Sequence, residues 1–150
     1  SGGRIMSLTE PREKMSKSAE NPKSYIALLD PPELIKKKIM SAVTDSEAAI
    51  RYDEEQKPAV SNLMVIYSLC SGESLETITQ KYAGCGYGQF KKDLAEQLVE
   101  TLRPIQDRFR ELSAPGVIEE ILAAGADKAR AAAGPKLRLF REKLGLLPFA

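Results

Sequence analysis

Apolar residues recur at helical spacing along most of the chain, and this pattern predicts an all-α fold. The longest regular pattern steps by three or four residues, as expected for one face of a helix. It comprises Phe90, Leu94, Leu98, Leu102, Ile105, Phe109 and Leu112. Pro104 lies within this stripe and removes one backbone donor, so we expect a kink near 100–104. We interpret the stripe as core, or as an interface to a part of the protein outside this sequence.

Two helix starts are predicted ahead of the stripe, each from an acceptor side chain followed by proline. Asn21 and Pro22 predict a helix that continues through 25–29, and Asp30 and Pro31 predict a second helix. The apolar face of the second helix would carry Leu34, Ile35, Ile39 and Val43, with Lys36, Lys37 and Lys38 on the rest of its surface. Three neighbouring lysines are typical of a solvated face, and nucleic-acid contact is the alternative.

The middle of the chain predicts two more helices and a turn. Residues 44–58 are polar and irregular, whereas 60–70 are apolar nearly all round and predict a buried central helix, with a strand as the alternative for part of the run. Ser74 is expected to cap a short helix. The glycines at 84–88 superficially resemble a phosphate-binding loop. A helix rather than a strand precedes them, so we interpret 84–88 as a helix-to-helix turn.

The last part of the chain predicts helix again, after a break at 114–116. Its apolar positions are Ile118, Ile121, Leu122 and Ala129, followed by Leu137, Phe140 and Leu144. Gly134 and Pro135 should interrupt this helix. The sequence contains no convincing alternating strands and no internal repeats.

The composition excludes several kinds of site and favours one cellular compartment. The 150 residues are 43% hydrophobic and 29% charged, as in a globular protein, and the net charge is +1. The absence of histidine argues against a zinc site and against imidazole catalysis, so no metal site is expected. Cys70 and Cys85 are isolated, which favours a reducing cytosol over a disulfide scaffold. No apolar run reaches membrane-spanning length, so we expect a soluble, cytoplasmic protein without membrane contact.

The segment Lys14-Met15-Ser16-Lys17-Ser18 suits a polyphosphate. Its two ammonium groups can converge on one anion if the loop curls, and its hydroxyls and backbone amides add donors. Lysine is a mobile point charge, which suits charge that migrates during a reaction. From composition alone, a flexible basic loop is the plainer interpretation.

Lys-Met-Ser-Lys-Ser is also the signature of class I aminoacyl-tRNA synthetases, and it is present here without a departure. The surrounding segments resemble the tryptophanyl-tRNA synthetases in particular. These segments are 4–8, 21–30, 41–46, 86–91 and 102–106. The resemblance is strong over 3–113 and loose over 114–150. The tyrosyl enzymes are the nearest relatives, but their usual loop motif differs and their bacterial forms carry an added RNA-binding domain.

The resemblance implies that the whole enzyme uses ATP and Mg²⁺ to form tryptophanyl-adenylate, and then transfers tryptophan to tRNA(Trp). Lys14 and Lys17 would hold the β- and γ-phosphates and stabilise the departing pyrophosphate. Ser16 and Ser18 would add hydrogen bonds, and Met15 would help to seat the loop near the adenosine. Closure of the loop over ATP would complete the site.

The resemblance also implies a domain plan, and it places backbone contacts to adenine at Ile5. Residues 1–20 would end a Rossmann catalytic domain with the signature loop, and 21–113 would form a helical anticodon-binding bundle. Residues 114–150 would be a terminal helical segment that packs back toward the catalytic domain. The tryptophan pocket would lie outside this sequence, so the chain alone should be inactive, and the full-length enzyme should be a homodimer.

The alternative from a different class is a stand-alone helical module that binds RNA or a protein and has no catalytic ancestry. The intact signature loop argues against it, because an adaptor gains nothing from a loop that gates ATP. For RNA binding, the candidate phosphate contacts are Lys36, Lys37, Arg103 and Arg108.

Overall fold

A computed structural model describes residues 4–146 and confirms the all-α prediction. The helices are α1 (Pro32–Ser41), α2 (Pro58–Ser71), α3 (Leu75–Lys81), α4 (Tyr87–Leu112) and α5 (Val117–Lys143). Within the described part, strand-like pairing is limited to one isolated antiparallel bridge between Met6 and Lys14. The chain divides into two compact units, Ser1–Gln106 and Asp107–Ala150, which are described separately below.

The first unit has a core built around α2, as the sequence predicts. Val60, Leu63 and Met64 are essentially fully buried, together with apolar side chains of α1, α3 and α4. An aromatic cluster lies within this core. The ring of Phe90 stacks on Tyr67 at 5.9 Å between centroids and meets Tyr82 edge-on at 5.1 Å. Edge-on and offset-stacked arrangements are the favoured geometries for aromatic pairs.

The predicted helix at 25–29 is wrong. Residues 21–30 form turns and extended backbone, because Asn21 organises a local turn instead of a helix start. Its side-chain oxygen accepts from the Lys23 amide at 3.0 Å, and its carbonyl accepts from the Ser24 amide at 3.0 Å. Such side-chain-to-backbone bonds compete directly with helix formation.

The second predicted helix is present as α1, but Asp30 does not cap it. The helix begins at Pro32, and the Asp30 carboxylate instead accepts from the Ala27 amide at 3.0 Å and from Lys38 Nζ at 2.6 Å. Lys38 is therefore buried, although its place among three lysines suggested a solvated face. The predicted apolar face is also only half right, because Ile35 and Ile39 are buried while Leu34 and Val43 are exposed.

A lysine of α4 donates a hydrogen bond to the backbone at the carboxyl end of α1. Lys91 is buried, and its Nζ donates to the carbonyl of Ala42 at 2.7 Å. Burial lowers the pKa of Lys91. A cation at this end of a helix also complements the helix dipole. Lys91 therefore ties α4 to the end of α1.

Two local predictions in the middle of the chain are confirmed. The hydroxyl of Ser74 accepts from the Thr77 amide at 3.1 Å and caps α3. The first part of the glycine-rich segment, 84–86, lies in the turn between α3 and α4, with Gly84 at a φ of +78°, whereas 87–88 already begin α4. Glycine is favoured in this left-handed conformation because it has no Cβ to clash.

The long apolar stripe lies on α4, and only its first part is core. Phe90, Leu94, Leu98 and Leu102 are buried. Ile105 and Phe109 are exposed, which leaves the later part of the stripe without cover within the described residues. The helix continues through Pro104, and the expected kink stays a prediction.

The second unit consists mainly of α5. A left-handed Gly116, with a φ of +88°, precedes this helix and confirms the predicted break. The predicted interruption at Gly134 and Pro135 is wrong, because α5 runs continuously from Val117 to Lys143. Proline removes a single backbone donor, and the residues on both sides of it keep the helical conformation. No residue of α5 is buried.

Candidate functional site: the lysine hairpin

Residues 5–15 form a short irregular hairpin, which we call the lysine hairpin. Its arms are joined by two backbone bonds, from the Ser7 amide to the Glu13 carbonyl at 2.8 Å and from the Met15 amide to the Ile5 carbonyl at 2.9 Å. At the tip, the Ser7 hydroxyl accepts from the Glu10 amide at 3.1 Å. The signature motif thus begins in regular backbone pairing, whereas the sequence predicts an irregular loop.

Lys14 and Lys17 are both exposed, and neither has a hydrogen bond or an ion pair within residues 4–146. Lys14 lies in the hairpin arm opposite Met6, whereas Lys17 lies in the turn that follows. Their ammonium groups are therefore available to an anion. That they bind the phosphates of ATP stays a prediction.

The other predicted binding residues divide into two groups. Ser16 and Ser18 are exposed and form a local turn, with 3.0 Å between their hydroxyl oxygens. Ile5 and Met15 are partly buried and pack against the core of the first unit. The apolar pair therefore attaches the hairpin to the helices, while the serines stay open to a ligand.

Backbone bonds hold the hairpin to the rest of the first unit at Leu8, which is buried. Its amide donates to the Ser24 carbonyl at 2.9 Å, and its carbonyl accepts from the Val43 amide at 2.9 Å. Leu8 thus connects the hairpin to the segment behind the motif and to the end of α1.

The side chain of Asn62, on α2, makes a further connection. It accepts from the Met6 amide and donates to the Met6 carbonyl, each at 2.8 Å. Asn62 is absent from the sequence-based candidates. The available signal was a carboxamide inside the apolar run 60–70, because a polar group in such a helix is expected to be buried and hydrogen-bonded.

A cavity of about 600 Å³ lies beside the hairpin. Its lining includes Arg4, Met6, Arg12, Tyr52, Glu54 and Asn62. Neither lysine of the motif lines this cavity. The wall combines the cations of Arg4 and Arg12 with the carboxylates of 54–55, so its charges are mixed.

An ionic cluster fixes the polar segment that connects α1 to α2. Lys57 Nζ is almost fully buried and lies 2.9 Å from Asp45 Oδ1, 2.8 Å from Glu47 Oε2 and 3.0 Å from Tyr87 Oη. Burial would raise the pKa of Asp45, but the hydrogen bonds from Lys57 and Tyr87 outweigh it and lower the pKa to about 2. At Lys57, burial would lower the pKa, but the hydrogen bonds to Asp45, Glu47 and Tyr87 outweigh it and raise the pKa. The irregular segment therefore has fixed geometry despite its polar sequence.

The four candidate RNA-phosphate contacts are exposed. Lys36 lies 3.6 Å from Glu33, and Arg103 and Arg108 form ion pairs with Glu100 and Glu111. Lys37 has no partner of this kind among the described residues. Exposed pairs of this type are weak, so they do not prevent these cations from contacting a phosphate.

Residues 4–146 show neither a metal-binding cluster nor a membrane-spanning helix. No group of three or more histidine, cysteine, aspartate or glutamate side chains is arranged to hold a metal ion. No helix in this range combines the length and the apolar character that crossing a membrane requires.

Comparison with known families defines the class of protein. Residues 3–103 match the family described as tRNA synthetases class I (W and Y). The matched range includes the lysine hairpin, α1 to α3 and most of α4. The chain belongs to this family of class I tRNA synthetases.

Individual relatives point to one member of the family. The chain is 53% identical over 145 residues to the tryptophan–tRNA ligase of Bacillus anthracis and 50% identical to that of Bacillus subtilis. Each alignment covers 97% of this chain and 44% of the relative. The chain therefore spans less than half the length of these relatives.

Solved structures agree with the sequence comparison. The tryptophanyl-tRNA synthetase of Campylobacter jejuni is similar, with a TM-score of 0.73 and 32% identity over 95% of this chain and 44% of that one. The enzyme of Mycoplasma pneumoniae gives a TM-score of 0.67 and 35% identity over 96% of this chain and 44% of that one. The similarity covers the helices as well as the signature motif.

Proposed function

We propose that this chain is part of a tryptophan–tRNA ligase, which activates tryptophan with ATP to tryptophanyl-adenylate and transfers it to tRNA(Trp). The observation that supports this most strongly is the extent of the identity, 53% across 97% of the chain. A shared signature motif alone would leave the amino acid open. Identity that extends through the helices supports tryptophan specifically.

In this proposal the lysine hairpin and the turn that follows it present two cations to the phosphates of ATP. Lys14 and Lys17 are exposed and without a counter-ion in the described structure, so no internal ion pair has to break before they bind an anion. They would stabilise the charge that develops on the departing pyrophosphate. Ser16 and Ser18 would add hydrogen bonds, and Met15 and the Ile5 backbone would lie near the adenosine.

Mg²⁺ would reach this site on the nucleotide, since the described residues offer no cluster of ligands for it. When bound, it would neutralise phosphate charge and orient the phosphates. The residues of this chain would bind and orient the pyrophosphate end of ATP and exclude water from it as the hairpin closes.

The remaining helices would serve tRNA and domain docking. We propose that 21–113 forms the anticodon-binding domain and that the apolar positions of 114–150 pack toward the catalytic domain. The tryptophan pocket would lie in the part of the ligase outside this sequence. The full-length enzyme would be a cytoplasmic homodimer.

Pyrophosphate exchange by the full-length protein tests the proposal. Exchange should depend on tryptophan and not on tyrosine. Lys14→Ala and Lys17→Ala should each lower kcat by roughly 100-fold, the usual cost of removing one electrostatic contact to a transition state. Lys23→Ala, an exposed lysine just beyond the motif, is the matched control and should leave the rate unchanged.

Three results would contradict the proposal. They are exchange that depends on tyrosine, full activity of both lysine variants, and exchange catalysed by the 150-residue chain alone. Binding of the tryptophan tRNA anticodon stem-loop is a separate test. Its affinity should fall as salt rises, because phosphate contacts release counter-ions.

A further inference from the structure

Asn62 is the polar residue of α2 whose side chain binds the backbone of the lysine hairpin. Its side chain is 6% exposed and uses its oxygen and its nitrogen on one residue, Met6, which lies 56 positions earlier. The neighbouring Ser61 is also buried, but its hydroxyl accepts from the Asp53 amide at 2.8 Å and so holds the α1–α2 connection. Two adjacent side chains thus anchor two different segments to the same helix.

The geometry of the hairpin explains why Met6 can bind a carboxamide. Met6 and Lys14 face each other, and the bonds between the arms are made by their neighbours, from Ser7 to Glu13 and from Met15 to Ile5. At such a position of an antiparallel pair, the amide and the carbonyl of each residue point away from the opposite arm. The Asn62 carboxamide forms hydrogen bonds with both the amide and the carbonyl of Met6, as the backbone of a third strand would.

We propose that Asn62 is a positioning residue for the lysine hairpin, setting where Lys14 and Lys17 stand relative to the helices. This inference rests on the proposed function, in which those lysines bind the phosphates of ATP. The link has two steps. Asn62 fixes the Met6 backbone, and the pairing of Met6 with Lys14 fixes the arm that carries the first lysine.

The hairpin is held to the first unit by the backbone bonds of Leu8, by the packing of Ile5 and Met15, and by the side chain of Asn62. The bonds of Leu8 join backbone groups, so truncation of a side chain leaves them in place. The Met6 backbone is bonded to a side chain, so truncation of Asn62 alone removes both of its bonds to Met6. Reactions that depend on charge placement are sensitive to displacements of about 1 Å. Loss of the Asn62 contact should therefore change catalysis through the placement of the lysines.

Amide hydrogen exchange on the chain tests the anchoring. In Asn62→Ala, the amides of Ser7 and Met15 should exchange on the order of 10-fold faster, measured relative to the Met64 amide in the core of α2. In the matched variant Ser61→Ala, the Asp53 amide should accelerate instead, and the hairpin amides should not. Uniform acceleration of all amides in Asn62→Ala would show general destabilisation and would overturn the proposal, as would unchanged hairpin amides.

Pyrophosphate exchange by the full-length protein tests the catalytic consequence. Asn62→Ala should lower kcat/KM for ATP by about 10-fold or more and leave the KM for tryptophan unchanged. Ser61→Ala should behave as the unsubstituted enzyme. Equal losses for ATP and tryptophan, or no loss in Asn62→Ala despite a loosened hairpin, would overturn the positioning role.

The two experiments also separate this inference from the proposed function. If Lys14→Ala and Lys17→Ala retain full activity, the proposed function of the hairpin fails, whatever the exchange data show. If both lysine variants are impaired and the hairpin amides are unaffected by Asn62→Ala, the function stands and the positioning role fails.

Discussion

The two units of this chain use apolar residues in opposite ways. In the first unit, α2 and the first part of α4 bury their apolar side chains around Phe90, which is fully inaccessible to solvent. In the second, α5 carries comparable side chains, yet Leu122 is 66% exposed and Phe140 is 64% exposed. A fully buried Leu or Phe side chain contributes roughly 1.5 to 3 kcal/mol of stability, and the residues of α5 lack much of that contribution. The first unit is stabilised by its own core, whereas α5 presents an apolar surface.

The largest expected effect comes from matched phenylalanine truncations. Phe90→Ala should lower the free energy of unfolding by about 3 to 5 kcal/mol, because it opens a cavity between Tyr67 and Tyr82. Phe140→Ala should change it by less than about 0.5 kcal/mol. Urea denaturation followed by far-ultraviolet circular dichroism measures both. A large loss in Phe140→Ala would show that α5 belongs to a packed core, and the contrast between the units would fail.

The next largest effect is expected from the ionic cluster around Lys57, because polar residues also contribute to the stability of the first unit. Lys57→Met should destabilise the chain by about 2 to 3 kcal/mol, because it leaves Asp45 without its buried cation and Glu47 with Arg51 alone, at 3.5 Å. The loss should be smaller than for a fully buried pair, since both carboxylates keep some contact with water. Lys37→Met, at an exposed lysine of α1, is the control for removal of a charge. The same urea titration applies, and equal stabilities for the two variants would show that the cluster contributes nothing.

The ionic cluster also predicts acid sensitivity in the first unit. The pKa of Asp45 is lowered from an ordinary value of 3.8 to about 2 in the folded protein. Folding therefore gains stability from this group above pH 4, and the gain disappears as the pH falls through 3.8 toward 2. Its size should be about 1 to 2 kcal/mol, discounted because Asp45 is partly exposed. Stability curves at several pH values should be flatter across this range in Asp45→Asn. An identical slope would contradict the assignment.

The smallest effect probes α5 with a pair of glycine substitutions. Gly125 lies inside α5 and Gly84 lies in the turn before α4, and an added Cβ would have open space at both. Gly125→Ala should stabilise α5 locally by up to about 1 kcal/mol, because alanine is the better helix former. Gly84→Ala should destabilise the first unit by about 1 kcal/mol, since its φ of +78° disfavours a side chain. Helical content during thermal unfolding measures both, and two changes of the same sign would refute this account.

Features set by neighbouring residues could be predicted from the sequence. The central helix, the Ser74 cap, the turn at 84–86 and the first part of the α4 stripe follow from local periodicity and capping. Local signals failed where a side chain had a competing partner. Asn21 forms a turn with Ser24, and Asp30 binds Lys38 instead of capping α1.

In the candidate site, too, the sequence predicts the contiguous residues and misses the contact between distant ones. The signature motif identifies Lys14 to Ser18 directly, because its members are contiguous. The anchor at Asn62 is separated from Met6 by 56 positions, and the distance between them is set by the packing of α2. No spacing rule in one sequence connects two such residues. A buried carboxamide can be expected from the sequence, but its partner cannot.

The aromatic cluster has a practical consequence for optical measurements. All five tyrosines precede residue 107, and the sequence contains no tryptophan. Tyrosine fluorescence and the tyrosine bands of the near-ultraviolet dichroism therefore report on the first unit, where Tyr67 and Tyr82 pack against Phe90. Separate melting of α5 would appear in the far-ultraviolet signal and leave the tyrosine signal unchanged. Added free tryptophan would also be the sole indole fluorophore in a solution of this chain.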